Sequence, residues 1–449
     1  AYRQRLNEIQ STHRRPDYIL KNGTNIKSFL DAKSLDVDIF TDGDAAFQIR
    51  SYGWSAQSPC AFISNFEQFV ICDTRFTPNP SQPANMGAIQ LSVDEYIEQF
   101  DVLFSHLWRQ SVCSNQLEAL YSTARIEGRD RLDEQFAEML SIARLQIANN
   151  IVEHNHDRLI SNVALNYYVQ VIIDRIIFIR VCESKGIEQQ GKLKGFTEST
   201  SGFWDAFKQS CYMEFYDHYD GAMFERDYLF QELQMDDEPL NEFIKHLYYP
   251  FPYRFDVIPV KVIASIYEEF LGKQLEYDGR SVSEVTKDKY IKTNGAVSTP
   301  EHIVDMVCKQ TINIARLNTM NDIMKTKILD PCCGSGAFMV ACYELITTQM
   351  VKVLHDSPEE AELYSDYFCT FDDTIVLTIK GRRAAIVNCI HGIDCDEAAI
   401  EVAKMSLALK IVDGTNPLIW EPVGAYGNQI LRDISCNVKL GNTLVEPSS

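Results

Sequence analysis

The sequence predicts a multidomain α/β protein, and three observations predict it. Residues up to about 75 alternate quickly between strand-like and helix-like segments. A long middle run has helical texture, and from about residue 290 strands lead through glycine-bearing turns into helices. The 449 residues suggest three domains at roughly 150 residues each. A chain of this length buries sizeable cores without disulfide staples.

Taken in order, residues 2–10 read as a short helix. Residues 18–20 and 26–32 read as a hairpin about the turn Lys21-Asn22-Gly23, residues 44–54 as a helix, and residues 60–63 and 68–72 as two more strands. Pro78, Pro80 and Pro83 mark a linker in an Asn/Ser/Gln-rich stretch. Residues from about 92 to 247 read as helical, with one helix from residue 159 stopping at Lys185-Gly186. Tyr248-Tyr249-Pro250-Phe251-Pro252 is a second break, and residues 260–271 form an amphipathic helix. Further on, residues 327–329 and 386–393 read as strands, and residues 337–347 and 397–410 as the helices that follow them. The expected domains are 1–76, 77–285 (a helical connector) and 286–449.

The formal charge of −21 excludes a uniformly basic nucleic-acid coat while leaving room for a local basic cleft. The charge is unevenly spread: the first 75 residues carry nine residues of each sign, whereas residues 211–243 carry ten acidic and one basic, a solvated acidic surface. An aromatic content of 11% excludes disorder as the main state. Thirteen scattered cysteines with no C-x-x-C read as the reduced thiols of a cytoplasmic protein. His154-x-His156 has no cysteine beside it and reads as a solvated helix face rather than a zinc site. No signal peptide is expected, and no apolar run of membrane-span length; the richest stretch, 171–181, is interrupted by Asp174, Arg175 and Arg180.

Two constellations carry chemistry. Pro16-Asp17 opens the first predicted strand, and Asp31-Ala32-Lys33 ends the next, 14 residues after Asp17. Residues i and i+2 of a strand share a face, so Asp31 and Lys33 point together, and the hairpin brings Asp17 beside them. Two carboxylates on neighbouring strands make a hard oxygen site suited to Mg²⁺, with Glu8 on the preceding helix as a third candidate ligand. A lysine beside such an ion can hold the attacking water and stabilise charge developing on a phosphate. Gln48 and Tyr52 share a helix face and can both hydrogen-bond to this network or to the phosphate.

The order P-D, D-x-K, Q-x-x-x-Y resembles the PD-(D/E)xK nuclease superfamily, particularly the small nuclease domains that open type I and type IIG restriction enzymes. The family often has Glu where this chain has Asp31. The resemblance implies a small α/β nuclease core over residues 1–76 that hydrolyses phosphodiester bonds. In it Asp17 and Asp31 hold metal, Lys33 positions water and Gln48 supports them.

The second constellation, Asp330-Pro331-Cys332-Cys333-Gly334-Ser335-Gly336-Ala337-Phe338, lies between a strand and a helix. Its glycines permit a tight turn and a close ligand approach, and the helix start beyond offers free N–H groups. The third glycine of a dinucleotide fingerprint is absent. This stretch resembles motif I of the amino-group DNA methyltransferases of the adenine-N6 class, which bind S-adenosylmethionine on a Rossmann-like domain. The resemblance assigns Asp330 to the amino end of the methionine moiety. The backbone of Pro331, Cys332, Gly334 and Gly336 closes over the ligand, and Phe338 packs near it. Residues 295–300, ending in Thr299-Pro300, stand where the family carries a G-x-x-Y/F-T-P motif for the methionine carboxylate, with Ser298 in place of the aromatic. Gly392-Ile393-Asp394 gives Asp394 as the acid for the ribose hydroxyls, and Gly441-Asn442-Thr443-Leu444 resembles the turn whose asparagine contacts adenine. The 58-residue gap from Gly336 to Asp394 points to an insertion near residues 355–383.

The family's catalytic [D/N/S]-P-P-aromatic motif is not present, and no Pro-Pro pair occurs anywhere. The expectation is a chain that ends within the methyltransferase domain, before a target-recognition domain. Together the resemblances imply a type IIG restriction–modification enzyme that uses Mg²⁺ and S-adenosylmethionine on double-stranded DNA, with no membrane partner, and with another subunit or second copy when both strands are cut. Two other readings stay open. One is a methyltransferase-only defence protein with an inactive N-terminal domain. The other is a non-enzymatic DNA-binding or assembly module that senses S-adenosylmethionine.

Overall fold

The computed structural model describes residues 16–22, 25–114, 116–122, 132–155, 161–219, 222–287, 299–371, 374–413, 431 and 434–445. The expected helix over residues 2–10, with Glu8, lies outside them, as do His156 and residues 295–298. The chain is mixed α/β. It forms two compact units, one of residues up to 138 with 245–259, the other of residues 139–244 with those from 260. These units are drawn differently from the three sequence-based segments.

In the first unit, β1 (Tyr18–Asn22), β2 (Asn25–Ala32), β3 (Cys60–Ser64), β4 (Gln68–Asp73) and β5 (Ala88–Ser92) form one sheet in that order. The fifth strand follows the proline-rich stretch that reads as a linker. Strands β2 and β3 are parallel, and every other neighbouring pair is antiparallel. Parallel neighbours require a crossover. Helix α1 (Gly43–Ser55) supplies it, started by Asp42, whose carboxylate accepts from Ala45 N at 3.0 Å.

Side-chain alternation gives this sheet two apolar faces. Phe29, Ala61, Ile63, Val70 and Cys72 pack with Ile49 and Tyr52 of α1. Phe62, Phe69, Ile71 and Leu91 pack on the other side with Val112 and Leu117. Asp31 aligns with Ile63 and stands two residues from Phe29, which puts it on the α1 face.

The second unit holds a parallel sheet ordered β12 (Val438–Leu440), β11 (Ile390–Asp394), β8 (Ile328–Asp330), and two hairpins, β6 (Lys273–Tyr277) with β7 (Val282–Thr286) and β9 (Phe368–Phe371) with β10 (Thr374–Leu377). Its main helices are α2 (Leu132–His154, whose first turns belong to the first unit), α3 (Asn162–Lys185), α4 (Val260–Leu271), α5 (Glu301–Thr311), α6 (Ala337–Asp356), α7 (Ile379–Cys389) and α8 (Glu397–Val412). Helix α8 is central, packing on α3, α4, α6, α7 and β11. The β9–β10 hairpin and the helix Pro358–Leu363 occupy the region expected to be an insertion.

Helix α3 ends as its sequence predicts, with Gly186 in the left-handed region at φ +75°. Beyond the cap, buried Glu183 accepts from the Gly191 and Leu193 N–H groups at 3.2 and 2.9 Å, and Lys185 Nζ reaches Asp413 at 3.0 Å. His154 closes α2 with Nδ1 3.0 Å from Asn150 O and Nε2 3.2 Å from Asp236.

Two sequence expectations need correction. Residues 386–393 are not all strand: α7 runs to Cys389, and the strand starts at Ile390. The β-branched run conceals a helical spacing in which Ile379, Arg382, Ala385, Ile386 and Cys389 are buried. Asn437 Nδ2 donates to the Ile386, Val387 and Ile390 carbonyls at 3.0, 3.0 and 2.8 Å, so the helix end turns straight into the strand. Helices α3 and α6 also do reach the length and apolarity of a membrane span, although at least half of the apolar part of each is buried inside the fold. Core helices pass the same test.

Buried Asp174, in the middle of α3, accepts from Gln170 Nε2 at 2.8 Å. Burial pushes its carboxyl up to about 7; Tyr267, Gln170 and Arg144 oppose that shift, and Glu401 adds repulsion. The folded state therefore holds this proton more tightly than the unfolded chain. Its contribution to stability is complete below about pH 4 and is lost as pH rises to about 7, with an upper bound of roughly 4 kcal/mol. Asp174→Asn should gain stability relative to the parent as pH rises from 5 to 8, measured by thermal unfolding. A pH-independent difference contradicts this.

Candidate functional site

In the first unit, strand pairing builds the carboxylate site. Strand β1 pairs antiparallel with β2, so Asp17, just before β1, meets the end of β2. Its carboxylate accepts from Ala32 N at 2.7 Å, between Asp31 and Lys33. Lys33 N donates to Ser64 O at 2.8 Å, which continues the β2–β3 pairing past the strand and fixes the lysine backbone. Lys33 Nζ lies 2.6 Å from the buried Asp31 Oδ2 as an ion pair, and that oxygen has no further hydrogen-bond partner among the described residues. Burial pushes the Asp31 carboxyl up, Lys33 pulls it down, and the Asp17 carboxylate raises it again by repulsion and a shared hydrogen bond.

The structure thus brings Asp17, Asp31 and Lys33 together. Two crowded carboxylates fit a small divalent cation, which would relieve their repulsion. Among the described residues no group of three or more His, Cys, Asp or Glu side chains could hold a metal, and Glu8 falls outside them. Gln48 is half-buried on α1, and its amide makes no hydrogen bond to the described residues. Tyr52 departs from expectation. It is fully buried against Phe29, with ring centroids 5.5 Å apart, and its hydroxyl accepts from Arg254 rather than facing the carboxylates. Nothing local marks Arg254 in the sequence, because its partner is 202 residues away.

In the second unit, β8 delivers Asp330 into the glycine turn and β11 delivers Asp394 beside it. Gly334 and Gly336 have φ of +51° and +92°, a region that L side chains avoid. A Cβ on Gly336, which caps α6, would lie 3.1 Å from Met339 Cε and 3.4 Å from Ala403 Cα. A Cβ on Gly334 would meet nothing within 4 Å among the described residues, so Gly334 faces open space there. Asp394 ties the turn to the sheet: Oδ2 accepts from Gly334 N and Oδ1 from Asp396 N, both at 2.9 Å. Cys333 N donates to Ile393 O at 3.0 Å, and Gly441 N to Asp394 O at 2.8 Å.

The following turn closes the same end of the sheet. Thr443 Oγ1 donates to Pro331 O at 3.0 Å, and Asn442 Oδ1 accepts from Leu444 N at 3.0 Å. Asp330 Oδ1 accepts from Cys332 N at 3.2 Å, whereas Oδ2 is buried without a hydrogen-bond partner among the described residues. Burial raises the Asp330 carboxyl, the Cys332 N–H lowers it in part, and Asp394 repulsion raises it further. Asp330, Pro331, Cys332, Gly334, Gly336, Asp394 and Asn442 therefore meet at one end of the parallel sheet. Thr299 and Pro300 stand at the start of α5, and half-buried Phe338 stands in the first turn of α6, against which α5 packs. An orphaned acid beside an open glycine turn fits a ligand with a cationic donor.

Residues 307–423 match the family model described as MmeI, DNA-methyltransferase domain. The chain is 27% identical over 441 residues to the type II restriction enzyme and methyltransferase RM.Eco57I of Escherichia coli, covering 96% of this chain and 42% of that protein. It is 22% identical over 351 residues to a putative type II restriction enzyme and methyltransferase, RM.MjaORFECS2P, of Methanocaldococcus jannaschii, covering 62% and 27%. Among solved structures, the type IIL restriction-modification enzyme MmeI in complex with DNA aligns over 61% of this chain and 36% of that one, at 12% identity and a TM-score of 0.36. The chain spans less than half the length of the curated relatives it matches. The chain is thus similar over nearly its whole length to a type II restriction enzyme and methyltransferase, and within it residues 307–423 match a DNA-methyltransferase domain model.

Proposed function

We propose that the first unit holds a Mg²⁺-dependent DNA nuclease and the second the S-adenosylmethionine site of an adenine-N6 DNA methyltransferase, both acting on double-stranded DNA. The observation that carries the nuclease reading is the convergence of Asp17, Asp31 and Lys33 at the end of β2. Asp17 and Asp31 would hold the metal, which when bound polarises the phosphate and makes water a better nucleophile. Lys33, whose backbone is fixed through Ser64, would share its ammonium with a water and the scissile phosphate, and Gln48, whose amide is uncommitted among the described residues, would support them from α1. Support for the methyltransferase reading comes from the orphaned Asp330 oxygen beside the open face of Gly334. S-adenosylmethionine, when bound, supplies an electrophilic methyl group. Asp330 would take its ammonium, the Gly334–Gly336 backbone would line the ligand, and Asp394, whose oxygens each keep a lone pair, would accept the ribose hydroxyls.

In the intact enzyme, Asp31→Asn or Lys33→Ala should lower Mg²⁺-dependent cleavage of bacteriophage DNA by about a hundredfold or more, leaving S-adenosylmethionine binding unchanged. Full cutting by either variant rejects the nuclease assignment.

Asp330→Asn and Asp394→Ala should each weaken S-adenosylmethionine binding by about 1.5–3 kcal/mol through lost charge-assisted hydrogen bonds, read by calorimetry. Gly334→Ala should cost the fold only about 1–2 kcal/mol, because its methyl meets no atom of the described residues. The same methyl should block the cofactor. Unchanged affinity in all three variants would move the site elsewhere.

A further inference from the structure

Helix α1 is gripped by a stretch of chain from far downstream. Ser55 Oγ donates to Pro252 O and accepts from Arg254 N, both at 3.0 Å. The Arg254 guanidinium lies 4.1 Å from the centroid of the Tyr52 ring and donates to its hydroxyl, and its other side reaches Asp256 at 3.5 Å. Tyr249 packs on Phe47 and Tyr253 on Trp54, with ring centroids 5.8 and 5.7 Å apart. Val257 enters the core that holds Phe29 and Tyr52. These contacts follow α1 from Phe47 to Ser55, and the segment that makes them belongs to the first unit.

The contacts bear on the carboxylate site through geometry. Helix α1 packs on the sheet face that carries Asp31, and Gln48 stands one helical turn before Tyr52 on the same side of the helix. Apolar packing of a helix on a sheet has little directional preference. Directional bonds to Tyr52 and Ser55 set the rotation and height of the helix, and so the place of the Gln48 amide. A displacement of about 1 Å in a catalytic group can cost a hundredfold in rate.

We infer that the segment 249–257 completes the nuclease unit and that Arg254 is a positioning residue, acting on the carboxylate site through Tyr52, α1 and Gln48. This rests on the nuclease reading above.

The test uses the intact enzyme with bacteriophage DNA and Mg²⁺. Arg254→Met should lower kcat for cleavage at least tenfold while KM for DNA stays within twofold, and Arg254→Lys should recover part of the loss. In a Gln48→Ala background, Arg254→Met should lower kcat by no more than a further twofold, because both substitutions remove the same contribution. An unchanged kcat in Arg254→Met, or a loss that multiplies in full with that of Gln48→Ala, overturns the inference. Where Arg254→Met lowers the thermal midpoint enough to unfold the enzyme, Arg254→Lys carries the same two comparisons. Asp31→Asn run in parallel separates the failures. Normal cutting by Asp31→Asn rejects the nuclease reading itself; loss there with normal cutting by Arg254→Met rejects only the role of Arg254.

Discussion

A buried carboxylate that is crowded by a second acid is costly, and each unit of this protein keeps one at the end of a strand. Asp31 Oδ2 has only an ion-pair neighbour, Lys33, and Asp330 Oδ2 has no hydrogen-bond partner among the described residues. In both places a second carboxylate, Asp17 or Asp394, adds repulsion that a well-packed fold would normally avoid. The rest of each site serves to maintain that arrangement. Ala32 N–H and the β2–β3 pairing hold the first pair. The amides of Gly334, Cys332 and Asp396 hold the second. Under the proposed function a cation would recover that cost, a divalent metal in one case and an ammonium in the other.

The two sites reach this condition by different folds. In the first unit a parallel β2–β3 pair with α1 as crossover sets Asp31 under the helix. In the second, parallel β8 and β11 end side by side, and backbone amides of the turn are spent on Asp394. The glycines divide the labour. Gly336 lets the turn pack closely on α8, as its nearness to Ala403 shows, while Gly334 leaves room on the open side.

Much of this was legible in the sequence where the signal is local. Strands β1 to β4 and α1 follow from period-two and period-3.6 patterns bounded by turn residues, and the glycine turn after β8 follows from its motif. What was not legible depends on distant chain. Strand β5 hides behind a proline-rich stretch and forms because β4 offers it an edge. Tyr52 reads as a polar site residue, yet its ring fills the core and Arg254 takes its hydroxyl. The Ile386-Val387 pair reads as strand, but the carbonyls there are satisfied by the side chain of Asn437, some 50 residues on.

The proposal that ties the two units together is that the crowded carboxylates of Asp17 and Asp31 and the orphaned oxygen of Asp330 are cation sites. A crystal structure of the intact enzyme with Mn²⁺ and S-adenosylmethionine tests it most directly. The account predicts an anomalous peak at roughly 2.1 Å from oxygens of both Asp17 and Asp31, a spacing set by octahedral divalent-ion geometry. It also predicts the methionine ammonium within hydrogen-bond distance of Asp330 Oδ2. A metal bound away from both carboxylates, together with an Asp330 oxygen satisfied by a protein donor in the bound state, would contradict it.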